Sequence, residues 1–120
     1  MTGKLVVRKK DGIYALPVSS ILYFEKEQRK VRIHTQLESI GTIEAYSRFD
    51  DILRFLDERF MFCHRSYIFN MDKIVIMKNQ TVYLENGKDI YLGRDSYTRA
   101  IKVFREYLEK TADKGQAEKK

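Results

Sequence analysis

The chain has 120 residues, 23 Lys and Arg against 17 Asp and Glu, a net charge of +6 and an isoelectric point near 9.4. That length fits one domain, and 43% apolar residues, seven Phe and eight Tyr among them, can fill a core. The single cysteine excludes an internal disulfide, no run approaches the roughly 18 apolar residues of a membrane span, and the N-terminus lacks a signal-peptide core, so a reduced, cytoplasmic setting with no membrane partner is expected.

The first segment, KLVVRKK, reads as a strand ending at Asp11-Gly12, a two-residue hairpin signal. IYALPV follows. Its proline, Pro17, cannot donate to a ladder and suits an edge or a strand end. ILYFEKE and KVRIHTQ flank EQRK, a second hairpin. In the latter strand Val31 and Ile33 alternate with Arg32 and His34, so one face belongs to the core and the other to water. ESIGTIEA is a further strand. The period then changes. Phe49, Ile52, Leu53 and Leu56 fall at helical spacing, and Ser47 with Asp50 resembles a capping box, which predicts an amphipathic helix of about three turns.

Strands resume with FMFCHRS and YIF. A single turn at NMDK leads to IVIMKN, QTVYLEN and KDIYLGR, with Asn86-Gly87 the clearest turn signal. From Ser96 to about Lys110, Tyr97, Ala100, Ile101, Phe104 and Leu108 make a helical stripe. Residues 111–120 read as a frayed polar tail after a domain at 3–110. The fold class is therefore mostly β, with eight to ten short strands and two helices.

Chemistry has little to stand on. Cys63 and His64 are neighbours in a strand, so their side chains point to opposite faces and cannot form a nucleophile–base pair. Cys63 lies in the apolar run FMFC and reads as a buried thiol. One Cys and two His, His34 and His64, without CxxC, HxxxH or HExxH spacing, do not make a zinc site. The acid pairs Asp50-Asp51 and Asp57-Glu58 are a solvated helix face. No glycine-rich phosphate loop occurs. No enzyme activity, cofactor or metal is expected.

The positive charge points to anionic partners: nucleic acid, an acidic membrane surface or an acidic protein. It is spread along the chain, 11 Lys and Arg against 9 acids in residues 1–60 and 12 against 8 in 61–120. Cations gather at turns. Lys26, Arg29, Lys30 and Arg32 lie on the EQRK hairpin, His64, Arg65 and Ser66 follow a strand, Lys78 and Asn79 sit at a turn, and Arg94 closes YLGRDSY. If these share a face, they form a discontinuous basic edge on a rigid scaffold. Arginine's planar fork can pair with guanine O6/N7 or with a phosphate, whereas Lys and Ser mainly bind phosphate oxygens. Two other uses of such an edge are a non-catalytic protein-interaction module and a single-strand or RNA binder. The second needs exposed aromatics, and Tyr14, Tyr23 and Tyr91 are expected in or beside the core.

The order of these segments resembles the LytTR DNA-binding domain of bacterial response regulators. VSSILYFEKEQRKVRIHT resembles the family's D-I-x-Y-I-E strand with its basic hairpin. FDDILRFLDERFMFCHRSYIFNMDKI resembles the signature helix and F-x-R-x-H-R-S-Y-I-V-N run. TVYLENGKDIYLGRDSY resembles the closing L-x-N-G-x-x-I-P-V-S-R-x-Y. The resemblance covers about residues 3–108. It implies an elongated stack of short antiparallel sheets whose loops enter successive major grooves of duplex promoter DNA. By position it implies base contacts from Arg65, Arg94 and Arg32, and backbone contacts from Lys26, Arg29, Lys30, His64, Ser66, Lys78 and Asn79. Promoter DNA with repeated half-sites is the expected partner, with a homodimer assembled on it. Three positions depart from the pattern: Phe62 where a basic residue is common, Gly93 in place of Ser, and Val31 where a polar recognition residue could sit. No receiver domain precedes Lys4, as expected of a stand-alone regulator or an excised effector domain.

Overall fold

Alternating strands separated by tight turns dictate the architecture. The computed structural model describes residues 3–64, 66–111, 115 and 117, with His64 described by its backbone alone. In chain order the described residues form β1 (Lys4–Lys9), β2 (Gly12–Pro17), β3 (Ile21–Glu27), β4 (Lys30–Thr35), β5 (Thr42–Tyr46), α1 (Phe49–Leu53), β6 (Phe60–His64), β7 (Tyr67–Asn70), β8 (Ile74–Lys78), β9 (Thr81–Leu84), β10 (Asp89–Tyr91) and α2 (Arg94–Lys110). All strand pairs are antiparallel. Three sheets result: β1–β2, a five-stranded sheet in the order β5-β4-β3-β7-β6, and a three-stranded sheet in the order β10-β9-β8. The molecule measures 52 × 30 × 25 Å.

The five-stranded sheet is the middle layer. On one side Phe24, Val31, Ile33, Phe60 and Ile68 pack with Leu5 and Leu16 of the first hairpin and with Phe49 and Ile52 of α1. On the other, Tyr23, Met61, Cys63 and Phe69 pack with Val82, Leu84 and Ile90 of the small sheet and with Ala100 of α2. The run Ile21 to Phe24 is buried throughout. A register shift between Ile21 and Tyr23 lets two consecutive residues, Leu22 and Tyr23, face the second core. Two cores on one sheet explain why the first half of β3, Ile21 to Phe24, is continuously apolar while β4, covered on one side, alternates.

Several local expectations change. The first hairpin turns at Lys10-Asp11, because Lys9 pairs with Gly12. Of ESIGTIEA, only Thr42 onward is strand, and Ile40 and Gly41 instead donate to the Leu37 carbonyl. α1 is short: its N-cap is Arg48, with no side-chain cap bond. After Leu53 the chain tightens, Phe55 N–H donating to Ile52 and Leu56 N–H to Leu53, three-residue closures that end an α-helix. Leu53 and Leu56 still reach the core. In α2 the stripe is Tyr97, Ala100, Phe104 and Tyr107. Tyr107 takes the place expected of Leu108, because its hydroxyl donates to Asp72 at 2.6 Å while its ring stays on the core.

Candidate nucleic-acid interface

The turns that carry the cations are positioned by strand ends. β3 passes into β4 through Gln28-Arg29, with Gln28 at φ 58°. β6 ends at His64 and β7 begins at Tyr67, β8 passes into β9 at Asn79-Gln80, and β10 into α2 at Leu92-Gly93. Backbone hydrogen bonds tie these connections in pairs. Lys26 N–H donates to the Ser66 carbonyl at 2.8 Å, joining the first to the second. Leu92 N–H donates to the Gln80 carbonyl at 2.8 Å, joining the third to the fourth.

The direction of α2 joins the two pairs. Its Tyr107 is bonded to Asp72 and lies within electrostatic reach of Arg59, just before β6. Arg99, earlier in the helix, lies within reach of Cys63 near the end of β6. Eight helical residues span about 12 Å and four strand residues about 13 Å, so helix and strand run antiparallel side by side. The N-terminus of α2 therefore lies on the side where β6 ends. The opposite side carries the β9–β10 connection, where Gln36 Nε2 donates to Glu85 Oε1 at 2.8 Å.

The side where β6 ends and α2 begins gathers Lys26, Arg29, Lys30, Ser66, Lys78, Asn79 and Arg94. Lys26, Arg29, Lys78 and Arg94 are exposed and make no ion pair among the described residues. Arg94 is in the first turn of α2, two residues earlier than its stripe suggests, after Gly93 at φ 85° and ψ 166°. That conformation is open essentially to glycine alone and suits the glycine found there. Arg65 and the His64 side chain lie outside the described residues. Val31 is fully buried and belongs to the core.

Arg32 is differently placed. It sits on the water-facing side of β4, its Nη2 2.8 Å from Glu27 Oε1 and its Nε 3.1 Å from Glu44 Oε2. The Glu44 hydrogen bond, then Glu27, raises its pKa, and the guanidinium in turn lowers that of Glu44. His34, on the same face, is enclosed instead of wet, stacked on Tyr23 at 4.1 Å and 3.0 Å from Glu25. Sequence reasoning missed Glu27 and Glu44 as partners of Arg32. Strand alternation alone could have placed all three on one face.

The aromatic and thiol questions resolve by burial. Tyr23 is buried and Tyr14 packs beside the first core, whereas Tyr91 is 68% exposed, its hydroxyl bonded to Gln80. Cys63 is buried, and burial pushes its thiol up to about 12, so no thiolate forms at neutral pH. No helix of the described residues is long and apolar enough to cross a membrane.

Comparison with known proteins bears on the family and the fold. Residues 11–108 match the LytTr DNA-binding domain family. The chain is 29% identical over 86 residues to accessory gene regulator protein A from two strains of Staphylococcus epidermidis, an alignment covering 70% of this chain and 35% of each relative. It thus spans about a third of the length of those curated relatives. A solved LytTr DNA-binding domain from Bacillus cereus superposes with a TM-score of 0.68 at 19% identity, over 84% of this chain and 95% of that one, a likeness of fold. With four-fifths of its length matched to the family and the same layered fold, the chain belongs to the LytTR family of DNA-binding domains.

Proposed function

We propose that this domain is a transcription regulator that binds duplex promoter DNA sequence-specifically, its connections entering successive major grooves. The observation that carries the reading is the convergence of four connections on one side of a rigid scaffold, with Lys26, Arg29, Lys78 and Arg94 exposed and without ion pairs among the described residues. The 52 Å length of the molecule exceeds the about 34 Å between major grooves on one face of B-DNA. In this reading Arg65, Arg94 and Arg32 contact bases. Lys26, Arg29, Lys30, His64, Ser66, Lys78 and Asn79 hold the phosphate backbone and set the register. Two copies occupy repeated half-sites as a homodimer on the DNA.

The test is a selection from random duplexes with the purified chain, followed by affinity measurements on the recovered sequence. Arg65→Ala and Arg94→Ala should each lose about 1–3 kcal/mol of discrimination between that sequence and an unrelated duplex. If both variants keep wild-type specific and non-specific affinity, the assignment of the base contacts is wrong.

A further inference from the structure

The water-facing side of β3, β4 and β5 carries a ladder of alternating charge. Register places Arg32 directly across from Glu25 on β3 and Glu44 on β5. Glu25 is already engaged by His34 at 3.0 Å. Arg32 therefore reaches diagonally to Glu27 at 2.8 Å while its Nε donates to Glu44 at 3.1 Å. Lys30 Nζ lies 3.6 Å from the other Glu44 oxygen. The guanidinium is thus held between two carboxylates on different strands, by a hydrogen bond from Nε to Glu44 and an ion pair of Nη2 with Glu27, which restricts its orientation. The terminal edge, which carries Nη1, keeps donors that have no partner among the described residues.

Such pairs could either withhold the arginine from DNA or pre-set it. Magnitude decides. The Arg32, Glu27 and Glu44 side chains are 37%, 52% and 42% exposed, and ion pairs that open to water are individually weaker than one bidentate base contact. They cannot withhold Arg32. They can remove the rotamer freedom of a long side chain, a cost that binding would otherwise carry. Lys30 and Arg32 are also balanced by Glu27 and Glu44, so this patch adds little to the general attraction for phosphate and bears on selectivity.

We propose that Glu27 and Glu44 are positioning residues for sequence discrimination, holding the Arg32 guanidinium so that its terminal edge meets one base pair in one orientation. The proposal rests on the reading of Arg32 as a base contact. It is tested with the full chain on two probes, the selected duplex and a scrambled duplex of equal length. The readout is the ratio of the two affinities, because removing acidic charge strengthens binding to both. The Glu27→Ala/Glu44→Ala variant should lower that ratio about 3- to 10-fold, and should lower it no further when combined with Arg32→Ala. Glu27→Gln/Glu44→Gln, which keeps acceptor oxygens, should restore most of it. Glu44→Ala alone carries the same expectation in smaller measure and leaves β3 untouched, should the double variant unfold. An unchanged ratio in the Glu variants, with a loss in Arg32→Ala, overturns the positioning role while leaving the base contact standing. A fall of equal size with and without Arg32 also overturns it. An unchanged ratio in Arg32→Ala removes the base contact itself, and the positioning role with it.

Discussion

His34 shows how much one side chain depends on its enclosure. Its ring lies 8° from parallel over Tyr23, Nε2 faces Glu25, and the Thr42 hydroxyl lies 3.1 Å from Nδ1. The neutral ring with its proton on Nε2 satisfies both contacts, donating to Glu25 and accepting from Thr42. Burial lowers its pKa from 6.5, by more than the Glu25 hydrogen bond raises it, and Lys88 and Arg32 lower it further. The sign follows. Well above pH 6.5 the ring is neutral in both folded and unfolded chains; as pH falls through about 6.5 the unfolded chain takes the proton first, so stability falls as pH falls until the lower folded value is passed. Urea unfolding of wild type and His34→Gln should show a gap that shrinks between about pH 7.5 and about pH 5.5. A gap that widens would mean that the Glu25 pair, not burial, dominates. Single residues were legible where alternation decides them, as at Val31 and Ile33. The sequence also marked His34 as facing away from that core, but its enclosure depends on Tyr23 and Thr42 of two neighbouring strands, and those neighbours are set by pairing that the sequence does not spell out.

Among the elements, the seam between β3 and β7 is pinned by Asn70. This side chain is fully buried; its Nδ2 donates to the Ile21 carbonyl at 2.8 Å and its Oδ1 accepts from Asp72 N–H at 3.0 Å. Removing it takes the amide partner from the buried Ile21 carbonyl, a loss of about 1–3 kcal/mol, and removes a weaker, part-buried cap bond from Asp72 N–H. Asn70→Ala should therefore cost about 2–4 kcal/mol in denaturant unfolding, and a change under about 0.5 kcal/mol, ordinary for a surface substitution, would show that water replaces the amide. The turn at NMDK was readable from its residues, because Asn and Asp bond their own backbone. The partner at Ile21 was not, since it sits on another strand. α1 makes the complementary point. Its apolar spacing was correct and its length was not, because Phe49, Ile52, Leu53 and Leu56 can all be buried from little more than one α-turn followed by tighter closures.

For the whole molecule, the distribution of charge makes the prediction. Lys26 and Lys78 stand on different connections, both exposed and without ion pairs among the described residues. If each holds a phosphate, Lys26→Ala and Lys78→Ala should each reduce the slope of log affinity against log salt by about 0.9 and weaken all duplexes alike. An unchanged slope would take that lysine off the backbone. The fold class and the turn-borne cations were legible before the structure; their convergence was not. That convergence depends on α2 running back along β6 and on Lys26 bonding Ser66, relations between segments far apart in sequence. The β3–β7 seam that joins them, Tyr23 to Phe69, Phe24 to Ile68 and Glu25 to Tyr67, has a kinetic meaning. The hairpins β3–β4 and β6–β7 close over short loops and can form early, whereas their mutual pairing must bridge the two halves of the chain and comes late. A chain with both hairpins formed but the seam open would be well structured and unable to read. A duplex that grips both sides of the seam selects the closed form by mass action, so, on the proposed function, the domain would be most completely folded when bound to DNA.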